Sequence, residues 1–310
     1  MEEVEVQEVL KEIHQYFQEI TQISGFSHEI SHLAAVPTAS GMALGLNHAA
    51  QCLLDYKRTV QFLQGMVTAI RDKQKEKPGE TIRIFYAGCG PYAPFITMIA
   101  PLFEPTEIQF SLLEINNSSL LSAKKLISGL NLSDYLQDSY LADAVTFKVP
   151  NPDSFHILFS ETLDALLYRE SYVPILWNLL PQFQKNIVLI PENVCLELST
   201  LTTITNQNEA IEEHHIGRIF DTRENLTRYF EEDKLPPHFP SQQFILKNTS
   251  HQESIILDTL VFVYKQYGLK RGESSLTLPC QMQLGEETKG KTISFTYHLK
   301  PQIELKYEIL

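Results

Sequence analysis

Two glutamates, Glu161 and Glu170, stand nine residues apart in the segment Phe159-Ser160-Glu161-Thr162-Leu163-Asp164-Ala165-Leu166-Leu167-Tyr168-Arg169-Glu170. Paired carboxylates suit a guanidinium, because bidentate charge-assisted bonds orient its planar fork. A second group lies upstream. The run Ile82-Arg83-Ile84-Phe85-Tyr86-Ala87 leads into Gly88-Cys89-Gly90-Pro91-Tyr92-Ala93, and Glu114 follows 26 residues after Gly88. Glycines at the carboxyl end of a strand let the backbone turn tightly and approach a ligand without Cβ interference. A carboxylate closing the next strand can accept both ribose hydroxyls of an adenosine.

These residues need elements to hold them. Val6, Leu10, Ile13, Phe17 and Ile20 recur at steps of three and four, which predicts an amphipathic helix. The break Pro37-Thr38-Ala39-Ser40-Gly41 precedes a second helical stretch over residues 43–72, and residues 73–80 read as a polar linker. From Thr81 the pattern alternates. Strands are expected at residues 82–87, 108–113, 144–147 and 156–159, with helices at 95–103 and 120–130 between them. Such alternation implies a parallel sheet with right-handed crossovers. Beyond about Ile190 the β-rich runs 194–201, 243–246, 259–264, 275–278 and 292–297 predict an antiparallel sheet or partial barrel. The expected architecture is α/β: a Rossmann-type sheet preceded by helices and followed by a β-rich region. The boundaries fall at 1–75, 76–190 and 191–310.

A nucleotide-dependent dehydrogenase fits the glycine turn too, but three features favour a class I S-adenosylmethionine-dependent methyltransferase. The turn lies behind a helical segment with its own pattern. Asp143, between Ala142 and Ala144, stands at the expected start of the third strand, where methyltransferases place an acceptor for the adenine amino group. The third feature is the double-glutamate segment, which resembles the loop of the protein arginine methyltransferases: Ser-Glu, then a second Glu nine residues on. Leu54-Asp55-Tyr56-Lys57-Arg58-Thr59-Val60-Gln61-Phe62 is similar to that family's D-x-x-R-T-x-x-Y stretch, and Val188-Leu189-Ile190-Pro191-Glu192 to its entry into a β-barrel. The resemblance spans roughly residues 50–200, and Tyr267-Gly268-Leu269 also looks barrel-like.

The resemblance implies that S-adenosyl-L-methionine is bound by Arg58, Gly88, Gly90, Glu114, Asp143 and Ala144, with Arg58 on its carboxylate. It implies that Glu161 and Glu170 orient the acceptor, that Tyr16-Phe17 matches an aromatic pair on the N-terminal helix, and that the chain forms a homodimer through residues 191–310. The sequence departs from the family's pattern at Tyr86, where an Asp is usual, and at Tyr92, where a third glycine is usual. The Thr-His-Trp barrel motif is absent, the only tryptophan being Trp177. The acceptor is therefore left open between a free guanidino or amino metabolite and a peptide side chain. An O- or C-methyltransferase and a non-catalytic S-adenosylmethionine-binding subunit stand as alternatives.

Composition bounds the rest. A net charge of −13 over 310 residues disfavours a nucleic-acid partner, since phosphate backbones need clustered Lys and Arg. No apolar run reaches the roughly 18–20 residues of a membrane span, and the acidic N-terminus is unlike a signal peptide, so a cytoplasmic location is expected. Cys52, Cys89, Cys195 and Cys280 form no CxxC pair, which points to reduced thiols rather than a zinc ribbon or a disulfide framework. His28-Glu29-Ile30-Ser31-His32 matches HExxH, but no third ligand pattern accompanies it, and it is read as lining or covering the active site; no metal is expected. His48 is read as an interface residue, and Glu212-Glu213-His214-His215 as a solvated loop.

Overall fold

The computed structural model describes residues 3–205, 209–229, 234–246, 253–285, 288 and 290–310. Helix α1 (Glu3–Thr21) buries the stripe Leu10, His14, Phe17 and Thr21. The expected helix over 43–72 is two: α2 (Leu46–Gln51) and α3 (Tyr56–Glu76), joined by a tight turn at Cys52–Leu54. The break falls at Asp55, whose Oδ2 accepts bonds from Ser274 Oγ at 2.7 Å, Ser275 N at 2.8 Å and Ser275 Oγ at 2.8 Å. Three donors from the far end of the chain hold that carboxylate outside any helix. At its other end α3 runs through the first half of the expected linker. Lys73 is buried there, its ammonium donating to Glu76 at 2.8 Å and to the Asn186 carbonyl at 3.3 Å, so a charge-rich sequence marks a packed helical turn.

Five parallel strands follow: β1 (Ile82–Ala87), β2 (Ile108–Glu114), β3 (Leu136–Leu141), β4 (Ile157–Ser160) and β5 (Val188–Ile190), in spatial order β3-β2-β1-β4-β5. Ile82, Ile84, Phe85, Phe110, Leu112, Ile157, Leu158 and Phe159 have no exposed surface, as expected of a sheet covered on both faces. Helices α4 (Asn117–Gly129) and α5 (Tyr172–Leu179) make two of the crossovers, and Trp177 lies in α5. Two local readings differ from the structure. Residues 144–147 form a turn, and the third strand is Leu136–Leu141, an edge strand whose half-exposed, polar sequence carries no apolar run. The expected helix over 95–103 is two short turns, Pro94–Thr97 and Ala100–Leu102.

The remainder is antiparallel. Strands β6 (Asn193–Thr205), β7 (Glu209–Asp221), β8 (Gln242–Ile245), β9 (Glu253–Tyr264), β10 (Tyr267–Leu269), β11 (Cys280–Gln283), β12 (Thr292–His298) and β13 (Glu304–Ile309) make two sheets, β10-β9-β6-β7 with β11 beside β9, and β8-β12-β13. Residues 275–278 are not a strand. Ser275–Thr277 is a single 3-10 turn capped by Ser274, whose hydroxyl accepts the Leu276 amide. Glu212 to His215 are indeed exposed, but on β7 rather than in a loop. Among the described residues no helix is long and apolar enough to cross a membrane. Helix α3 is bolted to the antiparallel sheet, with Gly268 N donating to Gln61 Oε1 at 3.0 Å and the Tyr264 hydroxyl to Asp72 at 3.3 Å. Those contacts hold α3, whose first turn carries Arg58, against the sheet.

Candidate functional site

Strand register alone assembles the centre of the site. β1 pairs with β2 so that Ala87 faces Leu113, and with β4 so that Ala87 faces Ser160. The next residue of each strand is then Gly88, Glu114 and Glu161, side by side at the carboxyl ends. On the other side of β2, Glu114 faces Leu141 in β3, which brings Ala142, Asp143 and Ala144 just past the strand end. Asp143 thus follows the third strand rather than opening it. The chain turns back between β1 and β4, and this reversal is where open α/β sheets bind ligands.

Arg58, Gly88, Gly90, Glu114, Asp143, Ala144, Glu161 and Glu170 all line one cleft there, with about 820 Å³ of empty space including its open mouth. Glu114 is buried; its Oε2 accepts Gly90 N and its Oε1 accepts Asn116 N, each at 2.9 Å. Burial pushes its pKa up, and those amides pull against the shift. Gly88 has φ +76°, and a Cβ there would stand 2.3 Å from Thr162 Cγ2. Gly88→Ala is therefore expected to cost about 1–3 kcal/mol of stability. Adding Thr162→Ser should recover part of it, and a wild-type melting temperature for the single variant would contradict this account.

Arg58 reaches the cleft from the first turn of α3, and its Nε pairs with Glu161 Oε1; the two side chains are 7% and 10% exposed. Burial raises the Glu161 pKa while the guanidinium pulls it down. The Glu170 carboxylate has no hydrogen bond or ion pair among the described residues. Burial first, then the Asp164 carboxylate, push its pKa up to about 8, and Asp164 itself is pushed up to about 7 by burial. Cys52 lines the same wall as a neutral thiol, pushed up to about 11 by burial, which disfavours a nucleophilic role near neutral pH.

A second chamber opens beside the first, with about 1660 Å³ of empty space including open solvent. Met42, Ala43, Leu44, Cys52, Arg58 and Glu170 line both, so Glu170 stands on the boundary. The loop carrying it is backbone-strained. Leu166, Leu167 and Arg169 have φ of +59°, +53° and +82°, uncommon for residues with a Cβ and typical of sites held by their surroundings. The surroundings are in the antiparallel sheets: Thr259 Oγ1 accepts Leu166 N at 2.8 Å, and the Tyr297 hydroxyl donates to the Leu167 carbonyl at 2.7 Å.

One wall of the site has no counterpart in the sequence reading. Val36–Pro37 and Met42–Ala43 pair into a two-stranded strap over the cleft. Asp143 Oδ2 accepts Ala39 N at 2.6 Å, Met42 N donates to the Arg169 carbonyl at 3.0 Å, and the Thr38 and Ser171 hydroxyls lie 2.7 Å apart. At its tip Gly41, φ +101°, leaves no room for a Cβ, which would come within 2.8 Å of Arg169 O and Ser171 Oγ. The Pro/Thr/Ser/Gly composition of residues 37–41 signals a turn, but not what the turn covers.

Tyr86 is buried on the floor of the cleft, its hydroxyl donating to the Cys89 carbonyl at 3.2 Å. Tyr92 turns away from the cleft. Its hydroxyl donates to the Ile23 carbonyl, and its ring meets His14 and Phe17 edge-on, so the tyrosine in place of a glycine docks α1 on the glycine turn. Phe17 is core and Tyr16 is 53% exposed. His48 is exposed at the second chamber, not at a packed interface. His28 precedes the short helix Ile30–Leu33 that holds His32, so the two histidines do not share a helix face, and neither lines the cleft. Among the described residues no three His, Cys, Asp or Glu side chains converge as metal ligands.

No family model matches the sequence, and no curated protein matches it. Among solved structures, the Trypanosoma brucei PRMT1 enzyme–prozyme heterotetrameric complex with AdoHcy contains a chain similar in structure, with a TM-score of 0.50 at 10% identity. The likeness covers 84% of this chain and 96% of that one. It establishes a shared fold, in which N-terminal helices and a five-stranded parallel sheet lead into an antiparallel β-rich region.

Proposed function

We propose that the chain is an S-adenosylmethionine-dependent N-methyltransferase whose acceptor is a guanidino or amino group, free or on a peptide. The observation that carries this reading is Glu170, a half-buried carboxylate without a partner on the boundary between two chambers, one of which is lined by the glycine turn and Glu114. The cleft residues fit the cofactor. Glu114 has acceptor capacity left for ribose hydroxyls beyond its two amide bonds, Arg58 offers a buried cation for a carboxylate, and Leu113, Ile115, Ala144 and Ile175 supply apolar wall for a base. Asp143 and Ala144 lie beside them at the end of the third strand. Bound there, S-adenosylmethionine would supply an electrophilic methyl group on sulfonium.

The chain's own contribution is positional. Glu170, with the second oxygen of Glu161, orients the cationic acceptor and aims one nitrogen toward the cofactor chamber. For a guanidinium no strong base is needed, since the proton can leave during or after transfer and the carboxylates compensate the charge that stays; an ammonium has no lone pair and must first give up a proton, to water or to one of the carboxylates. A non-catalytic adenosylmethionine-binding subunit is the second reading, favoured by Tyr86 on the floor of the cleft. Assembly through residues 191–310 belongs to the proposal too; the Trypanosoma brucei complex is an enzyme–prozyme heterotetramer.

Calorimetric titration with S-adenosylmethionine and S-adenosylhomocysteine tests the cofactor half. One saturable site for both is expected, weakened at least tenfold by Glu114→Ala. Binding of neither would overturn the reading.

A further inference from the structure

Asp164 is the third carboxylate of the double-glutamate loop, and nothing in the proposed transfer uses it. It lines the second chamber with Glu170. Its Oδ1 is buried and makes no hydrogen bond. The other charges of that chamber are only partly matched. Arg58 pairs with Glu161. Asp55 accepts three bonds from Ser274 and Ser275. The guanidinium of Arg169, on the same loop, lies 4.8 Å over the Tyr168 ring and forms no ion pair among the described residues. With Arg58 taken up by Glu161, the chamber sets Arg169 alone against Asp55, Asp164 and Glu170, an excess of two negative charges.

A singly charged acceptor held at Glu170 compensates one of them and leaves the other to stay protonated or to remain buried as an unpaired anion. Either choice weakens binding, because an uncompensated charge away from water is costly. An acceptor with a second positive charge on a flexible tether answers both. The chamber is roomy enough for such a tether, and it opens to solvent on the Leu33 and His48 side.

We infer that Asp164 is a specificity-determining residue that selects dicationic acceptors, molecules carrying a further ammonium or guanidinium a few carbons from the nitrogen to be methylated. This rests on the acceptor reading of Glu170. Free amino-guanidines, polyamines and basic peptide segments share that chemistry.

Two probes that differ only in the second charge test it: butylguanidine and 4-aminobutylguanidine, titrated into the full chain saturated with S-adenosylhomocysteine. The dication is expected to bind at least tenfold tighter to the wild type. In both Asp164→Asn and Asp164→Ser the ratio should fall at least fivefold, partly because butylguanidine binds better. A loop that had merely lost its shape would weaken both probes together and leave the ratio standing. Equal affinities in the wild type, or a ratio unmoved by both variants, would overturn the role of Asp164 while leaving the acceptor site in place. If neither probe binds although S-adenosylhomocysteine does, the inference and the acceptor reading fail together.

Discussion

Glu170→Gln is expected to lower kcat/KM for methyl transfer by about 10²–10³-fold while making the ligand-free protein more stable at pH 8. The substitution keeps the shape of the side chain and removes its charge. In the free protein that charge has no partner, and burial with Asp164 beside it raises the Glu170 pKa to about 8. The folded state then holds a proton that the unfolded chain, titrating near 4.5, has released. Between about pH 4.5 and pH 8 this group makes stability fall as pH rises. The amide cannot titrate, so the variant should lose that slope and melt a few degrees higher at pH 8. Its affinity for S-adenosylhomocysteine should stay within about threefold, because the cofactor's own contacts are untouched. Turnover like that of the wild type would remove Glu170 from the acceptor site.

The same shift gives the wild type a distinctive pH profile. Acceptor binding needs the Asp164–Glu170 pair ionised, so kcat/KM should rise through pH 7–8. A guanidinium keeps its charge above that range, and the profile for such an acceptor should reach a plateau.

Arg58→Met is expected to have the larger effect on stability, about 3–5 kcal/mol, read as a fall in melting temperature on the order of 10 °C. It strands Glu161, whose side chain is 10% exposed and whose ion pair is with Arg58. It also removes the buried cation offered to the cofactor carboxylate, so affinity for S-adenosylmethionine should drop at least tenfold. The double variant Arg58→Met/Glu161→Gln separates the two effects. Stability should return toward wild type because no charge is left buried alone, while cofactor affinity should not. Arg58→Lys keeps the charge without the planar fork and should fall between. A single variant that melts like the wild type would mean that the pair contributes nothing to the fold.

Much of the parallel sheet was legible because its central strands are apolar apart from Arg83, Gln109, Ser111 and Ser160 and stop at a glycine or a carboxylate. Gly88, Glu114 and Glu161 each stand one residue past or at such a stop, and parallel register turns equal stops into spatial neighbours. The third strand failed for the opposite reason. An edge position exposes Gln137 and half-exposes Asp138, which erases the apolar signal, whereas the buried turn after it places Ala144 and Phe147 against the core and mimics a strand. The strap was invisible because its hold depends on backbone groups, Ala39 N and Met42 N, bonded to residues more than a hundred positions away. Tyr92 looked like a departure in the glycine loop, and the docking of α1 explains it. Asp164 stood in plain view between the two glutamates. That its Oδ1 is left without a hydrogen bond is a tertiary fact that spacing cannot express.

The most direct measurement is transfer of tritiated methyl from S-adenosylmethionine to a panel of guanidino compounds, amines, arginine-containing peptides, catechols and carbon acids, with Glu170→Gln in parallel. Label is predicted in guanidino or amino acceptors alone, and to be lost in the variant. Label in an oxygen or carbon acceptor, or in guanidino acceptors equally with and without the Glu170 carboxylate, would contradict the account.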